Sequence, residues 1–273
     1  MQTAVITGAG GGLGGATANL FANRGWRVFA ADVRPPEASA SIVPITMDVT
    51  DTADVEAAAA TIAAEAPDGI QAIVNFAGIM LVGALVEIDE AELRRILDIN
   101  VLGTYRVNKA LFALVRRGSG RIVTISSEVG WQHALMLNGP YAMSKHAIEA
   151  YSDALRRELM FLDVPVITIQ PGPFRTDMVG GIRAAFDHAA SSSTLFTGLI
   201  RKVGSMAAHE EQRASDPQLL AEVVWKAVTA AKPRTHYSVK PDRRRAVMNR
   251  LPPRVVDAAL RKGLARRPRP GAR

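Results

Sequence analysis

The sequence predicts an α/β fold, a doubly wound parallel sheet in one domain with helices on both faces. Three observations carry this. Short apolar runs of strand length alternate with longer helical runs as far as about residue 239. The strand runs are nearly continuous in Val, Ile and Ala, the composition of strands covered on both faces. The first run passes at once into a glycine-rich turn and an apolar helix.

Taken in order, Thr3 to Thr7 reads as the first strand, Gly8-Ala9-Gly10-Gly11-Gly12-Leu13-Gly14 as the turn, and Ala16 to Phe21 as part of the helix. Glycines suit this turn because a Cβ would hold the backbone away from a pyrophosphate seated on the N–H groups of the helix N-terminus. The other reading of the turn is a flexible surface loop. The second strand, Arg27 to Ala31, ends at Asp32, eighteen residues after Gly14. A carboxylate there can accept from both ribose hydroxyls and repels a 2′-phosphate, which favours NAD over NADP. Arg34 weakens that preference, and an ordinary solvated acid at a strand end is the alternative. Together these features predict a Rossmann-type dinucleotide site.

Ile42 to Met47 reads as a third strand leading to Asp48 and Val49, the stretch from Asp54 to Ala66 as a helix, and Ile70 to Val74 as a fourth strand. Asn75-Phe76-Ala77-Gly78 follows as a small-residue turn that lets the chain pass close to a ribose while Asn75 fixes the backbone. Asp89 and Glu92 resemble a capping box opening one long amphipathic helix through Leu93, Ile96, Leu97 and Val101. Asn100 falls in its middle, either as a tolerated polar residue or as a point of loosened backbone that holds a water. A fifth strand, Arg121 to Ile125, delivers Ser126 and Ser127 at its carboxyl end, where open α/β sheets place their ligands and a hydroxyl can polarise a substrate oxygen. A sixth, Pro165 to Ile169, stops at Pro171-Gly172-Pro173, with Thr176 beyond it placed to bond a carboxamide.

Tyr141 and Lys145 lie four residues apart on the helix between those two strands and so share a face. Free tyrosine has a pKa of about 10, and a neighbouring ammonium is one means of making it an acid–base group near neutrality.

These motifs occur in the order of the short-chain dehydrogenase/reductase family, and from Thr3 to about Val239 the chain resembles it. The resemblance implies that Thr7 to Gly14, Asp32, Asp48, Val49, Asn75, Ala77, Gly78, Pro171, Gly172 and Thr176 serve the cofactor. It implies a tetrad of Asn100, Ser127, Tyr141 and Lys145. Tyr141 would be the general acid/base and Ser127 would orient the substrate oxygen. Lys145 would bind the nicotinamide ribose and tune Tyr141, and Asn100 would anchor a relay water. In many members the serine lies thirteen residues before the tyrosine. Here that position is Glu128, so Ser127 is preferred, Ser126 is the alternative, and Glu128 has no assigned role. The helix from Gly139 to Glu158 is most similar to the branch acting on steroids, retinoids and 3-hydroxy acids. A homodimer or homotetramer is also implied.

Substrate choice is expected in Met80 to Gly83, Trp131 to Asn138 and a lid from Met178 to about Gln212. Trp131, Leu137, Met178 and Ile182 are the candidates for a lipophilic pocket; packing in the core is the alternative for each. His133 has no assigned role. The chain has no cysteine and its five histidines are scattered, so no metal site is expected. The activity expected is hydride transfer between NAD, or NADP as the alternative, and a hydrophobic secondary alcohol or ketone. A non-catalytic dinucleotide sensor on the same fold is the competing expectation.

The formal charge of +7 comes from the end of the chain. Residues 240–273 carry twelve Lys/Arg against two Asp, a net of +10, which leaves about −3 on residues 1–239. This basic C-terminal extension is read three ways: a solvated and partly disordered tail, a peripheral membrane-surface segment, or a nucleic-acid contact, the last least favoured. Pro268 and Pro270 point to disorder at the end. The chain opens on a strand with no signal-peptide pattern and has no membrane-length apolar run, so a cytoplasmic protein is expected.

Overall fold

The computed structural model describes residues 1–175, 181–211 and 214–265. Seven parallel strands form one sheet: β1 (Thr3–Thr7), β2 (Arg27–Asp32), β3 (Ile42–Thr46), β4 (Ala72–Asn75), β5 (Arg121–Ile125), β6 (Val166–Pro171) and β7 (His236–Val239), in the order β3-β2-β1-β4-β5-β6-β7. The order reverses between β1 and β4, which opens a crevice at the carboxyl ends of the strands.

Each face of the sheet buries its own core. On one side α1 (Gly12–Asn23) and α8 (Pro217–Thr229) cover β1, β2 and β6 through Phe21, Leu220 and Val224. Phe21, Trp26 and Trp225 meet edge to face with ring centroids 5.0 to 5.7 Å apart. Each such pair adds about 0.5–1.5 kcal/mol beyond its buried area. On the other side α2 (Thr52–Glu65) and α4 (Thr104–Arg117) pack through Ile62, Val107 and Leu111, joined by Leu159 of α5 (Gly139–Leu159). With both faces covered, β1 is buried at all five residues, and its three central residues, Ala4, Val5 and Ile6, are all apolar.

Element limits shift by a residue or two from the sequence expectation. Asp51 caps α2 by accepting from the Ala53 and Asp54 amides, so that helix starts before Asp54. β6 runs on through Pro171 because it pairs in parallel with β7.

The larger difference lies around Asn100. Asp89 caps α3 (Glu90–Leu97) through the Ala91 amide, but the helix does not run on regularly. It widens into a π-helical turn, Asp98–Gly103, before α4 begins. Arg106 bridges the turn, donating to Asp98 at 2.8 Å and to the Val49 carbonyl at 3.1 Å.

Between β6 and α8 stand two helices of the expected lid, α6 (Ile182–Ser192) and α7 (Thr197–Glu211). They form a separate apolar cluster in which Phe186, Ala190 and Ile200 meet Val82, Ala84 and Leu137. Glu87 ties the loop between them to the segment after β4, accepting from the Ser193 and Thr194 hydroxyls and from the Thr194 and Leu195 amides. These bonds hold its carboxyl down at about 2, with the Ser193 hydroxyl the largest cause.

After β7 the chain continues as α9 (Arg243–Met248) and α10 (Pro253–Ala265). As far as Ala265 the extension is thus largely helical, with most of its described residues exposed or half-buried. Val256 is buried and Lys202 donates to the Leu264 carbonyl. Pro268 and Pro270 lie outside the described residues.

Candidate active site

A cleft of ≈ 1480 Å³ runs along the carboxyl ends of the strands, from the glycine turn and Asp32 at one end to Ser127, Tyr141 and Lys145 at the other. Gly8, Gly10 to Gly14, Asp48, Val49, Ala77, Gly78, Pro171 and Gly172 also line it. Chain order scatters these residues; the crevice at the reversal of strand order gathers them.

Gly8 shows why the turn needs glycine. Its φ is +66°, and a Cβ there would lie 2.7 Å from the Ala77 nitrogen, so the turn after β1 presses on the turn after β4. Thr7 locks the two turns together, its hydroxyl accepting from the Ala77 amide at 3.1 Å and its carbonyl from the Phe76 amide. Gly11 caps α1 without a side-chain bond, leaving the first N–H groups of that helix to an anion. Asp32 is already engaged, accepting from the Gly10 amide at 3.0 Å and the Arg34 amide at 2.9 Å. It therefore shapes the turn while presenting its charge to the cleft. Asp48 accepts from the Thr50 amide and hydroxyl, and these bonds lower its pKa.

Asn75 is buried and donates to the Asn108 side chain at 2.9 Å, and Asn108 in turn donates to the Tyr151 hydroxyl at 3.1 Å. The Asn75 Oδ1 has no partner in the structure.

Tyr141 lies in the first turn of α5, where Pro140 pre-sets the helix start. Its phenol is pushed up to about 12, first by burial and then by the charge of Glu128, while a hydrogen bond with Ser127 pulls the other way. Both serines line the cleft; Ser127 bears on the Tyr141 phenol, whereas the Ser126 hydroxyl is buried without a partner. Lys145 lies one turn further on, with Nζ 5.6 Å from the centre of the Tyr141 ring. The ammonium donates to the Ile125 carbonyl at 2.9 Å, and burial lowers it to about 8, opposed by Glu149. Burial is thus the largest influence on the Tyr141 phenol, with Ser127 opposing it and Glu128 adding to it.

Asn100 is spent on structure. Its Oδ1 accepts from the Ile79 amide at 2.8 Å, and its Nδ2 donates to the Ile79 carbonyl and the Ser144 hydroxyl, both at 2.9 Å. The π-helical turn aims this side chain at the segment after β4 and at α5 together.

A family model described as short chain dehydrogenase matches residues 2–186. The chain belongs to that family. An NADPH-dependent 3-dehydrocapnine reductase of Ornithobacterium rhinotracheale is 30% identical over 97% of this chain and 98% of its own. Human retinol dehydrogenase 16 is 34% identical, covering 93% of this chain and 86% of its own. Among solved structures, the ligand-free aldohexose dehydrogenase of Thermoplasma acidophilum superposes with a TM-score of 0.71 at 26% identity over 87% of this chain and 92% of its own.

Against this short-chain dehydrogenase frame the substrate side of the cleft departs from expectation. The lining does not include Trp131, Leu137 or Ile182. Trp131 is exposed, and Leu137 and Ile182 belong to the lid's own apolar cluster. Leu137 and Ile182 pack instead with the lid helices against Val82 and Ala84. Met178 and Thr176 lie outside the described residues. Asn75 and Asn100 are not among the lining residues, whereas Met80, Ala91, Arg94, Arg95 and Leu102, which no sequence motif marks, line the cleft. Asn108 and Ser144, which hold Asn75 and Asn100, were not singled out in the sequence either. Their signal was a polar residue on the otherwise apolar face of a helix. Among the described residues no group of His, Asp and Glu forms a metal site, and no helix is long and apolar enough to cross a membrane.

Proposed function

We propose that this oxidoreductase moves hydride between an NAD(P) nicotinamide and a hydrophobic secondary alcohol or ketone, with Tyr141 as the general acid/base. The observation that carries the reading is that Ser127, Tyr141 and Lys145 line one end of a cleft whose other end is the glycine turn and Asp32, with Lys145 one helical turn from Tyr141. The residues present fit a dinucleotide: uncapped N–H groups at α1, an acid at the end of β2, and close-packed glycine turns between them. Residues 1–239 are read as the catalytic domain, with the basic extension packed onto it. The bound nicotinamide supplies or takes up the hydride.

The chain's own residues handle the substrate oxygen. The Ser127 hydroxyl orients it, and the Tyr141 hydroxyl gives or takes its proton. Lys145 stays at the floor, within reach of a ribose through the ammonium now held by Ile125. With the phenol at about 12, the phenolate needed for oxidation is scarce near neutrality, so alcohol oxidation rises with pH through the alkaline range. Ketone reduction uses the phenol and keeps its rate over that range. Asp32 supports NAD as the preferred cofactor, although one relative is named as NADPH-dependent. The relative named for retinol supports a lipophilic substrate. Tyr105 and Met143, exposed on α4 and α5, are read as part of a self-association face, which light scattering checks.

The test is a fluorescence titration with NADH and NADPH, followed by oxidation of a panel of steroids, retinol and aliphatic secondary alcohols. Tighter NADH binding, turnover of a panel member, and loss of turnover with retained binding in Tyr141→Phe are expected. Turnover that survives in Tyr141→Phe overturns the assignment.

A further inference from the structure

Glu128 is buried, only 4% exposed, directly after Ser127 in the short 3-10 turn Glu128–Gly130. Buried carboxylates are uncommon unless paired, and here the pairing groups come from the far end of the chain. The Asp242 amide donates to Oε2 at 2.7 Å, and the Arg245 guanidinium, itself largely buried, donates to Oε1 at 3.1 Å. Two further contacts hold the same segment to the mouth of the cleft. The His133 amide donates to Asn249 Oδ1 at 2.8 Å. Gly172 donates to the Val239 carbonyl, and a Cβ on Gly172 would lie 2.1 Å from the Lys240 carbonyl oxygen. The loops after β5 and after β6 are therefore both braced by residues 239–249.

We propose that residues 240–249 are a positioning element of the active site, in which Arg245 and the Asp242 amide hold Glu128 and the balance of those two charges sets the acid–base poise of Tyr141. The inference rests on Tyr141 as the acid/base. The charged groups facing this corner are Glu128 from the 3-10 turn, Arg245 and Asp242 from the C-terminal segment, and Lys145 and Glu149 from α5; Glu149 packs beside Gly130. Ser127, the chain neighbour of Glu128, acts on the same phenol and lowers it. The Glu128 charge raises the Tyr141 phenol, and Arg245 is paired with that charge.

The test follows the Tyr141 phenol by NMR in the full chain carrying Cζ-labelled tyrosine, with the signal assigned by its disappearance in Tyr141→Phe. Glu128→Gln removes the charge and keeps the shape, so the phenol begins to ionise about one pH unit lower. Arg245→Gln removes a cation paired with the carboxylate and moves the onset upward, while Arg245→Lys stays with the parent protein. The double variant Glu128→Gln/Arg245→Gln falls between the two single variants, because each charge acts on the phenol with opposite sign. Where turnover is present, the pH profile of alcohol oxidation moves in the same directions. An unmoved Tyr141 signal in both single variants, or a shift of the same sign in both, overturns the proposal. If Glu128→Gln does not fold, Arg245→Gln against Arg245→Lys carries the test alone. Turnover persisting in Tyr141→Phe defeats the assignment of Tyr141, whereas the NMR shifts report the charge coupling in either case.

Discussion

Replacing Asn100 with alanine separates a structural role from a catalytic one. The side chain is buried and makes three hydrogen bonds, two with the backbone of Ile79 and one with the Ser144 hydroxyl. Truncation leaves those partners inside a dry junction among the π-helical turn, the segment after β4 and α5. At about 1 kcal/mol for each lost bond, the variant is about 3 kcal/mol less stable, and more if water cannot enter. With about 2.1 cal/mol/K per residue of unfolding entropy over 273 residues, that corresponds to a drop in Tm of about 5 °C. Thermal melts by circular dichroism read this directly, and urea midpoints check it. Asn100→Asp keeps an acceptor for the Ile79 amide but loses the donor to the Ile79 carbonyl, so it falls at least as far. A Tm within about 1 °C of the parent, with turnover abolished, would refute the reasoning: the side chain would then matter to the reaction and not to the junction.

Two other perturbations follow from the same geometry. Lys145 is held at about 8 when folded against an ordinary value of 10.5, so between those limits the unfolded chain binds more protons and stability rises with pH. The rise from about pH 7.5 to about pH 10 amounts to about 2 kcal/mol and disappears in Lys145→Met, as urea midpoints at the two pH values would show. An unchanged rise would mean that Lys145 is not the group responsible. Glu87→Ala removes the acceptor that gathers Ser193, Thr194 and Leu195, so hydrogen exchange at residues 193–196 speeds up by about tenfold or more. Because the Glu87 carboxyl is held down at about 2, its contribution is present above the ordinary carboxylate range and is lost only as the pH falls through about 2. Exchange at those amides that is equal in the two proteins would show the lid held by its apolar cluster alone.

Most of the site was legible in the chain because its chemistry is local. A glycine at φ +66° between a buried strand and a helix, an acid at the end of the second strand, and a tyrosine and a lysine one helical turn apart each declare themselves within a few residues. The parallel sheet was legible too, since strands covered on both faces leave uninterrupted apolar runs. Asn100 was half legible. The poor helix former marked the spot, but only the packed structure shows that the π-helical turn is spent in aiming its side chain at Ile79 and Ser144.

What tertiary structure alone decided depends on distance along the chain. Trp131, Leu137 and Ile182 have the composition of a lipophilic pocket, yet whether an apolar residue faces a ligand or another apolar residue is fixed by what packs opposite, and α6 and α7 pack on each other. Glu128 looked like a bystander beside the serine. Its role in the fold comes from Arg245 and the Asp242 amide, more than a hundred residues away, which make burial of its charge tolerable. For the same reason the basic extension, read as a tail from its charge, is through Ala265 a pair of helices tied to the body of the protein. Local chemistry sets which groups the chain owns; only the fold sets which of them meet.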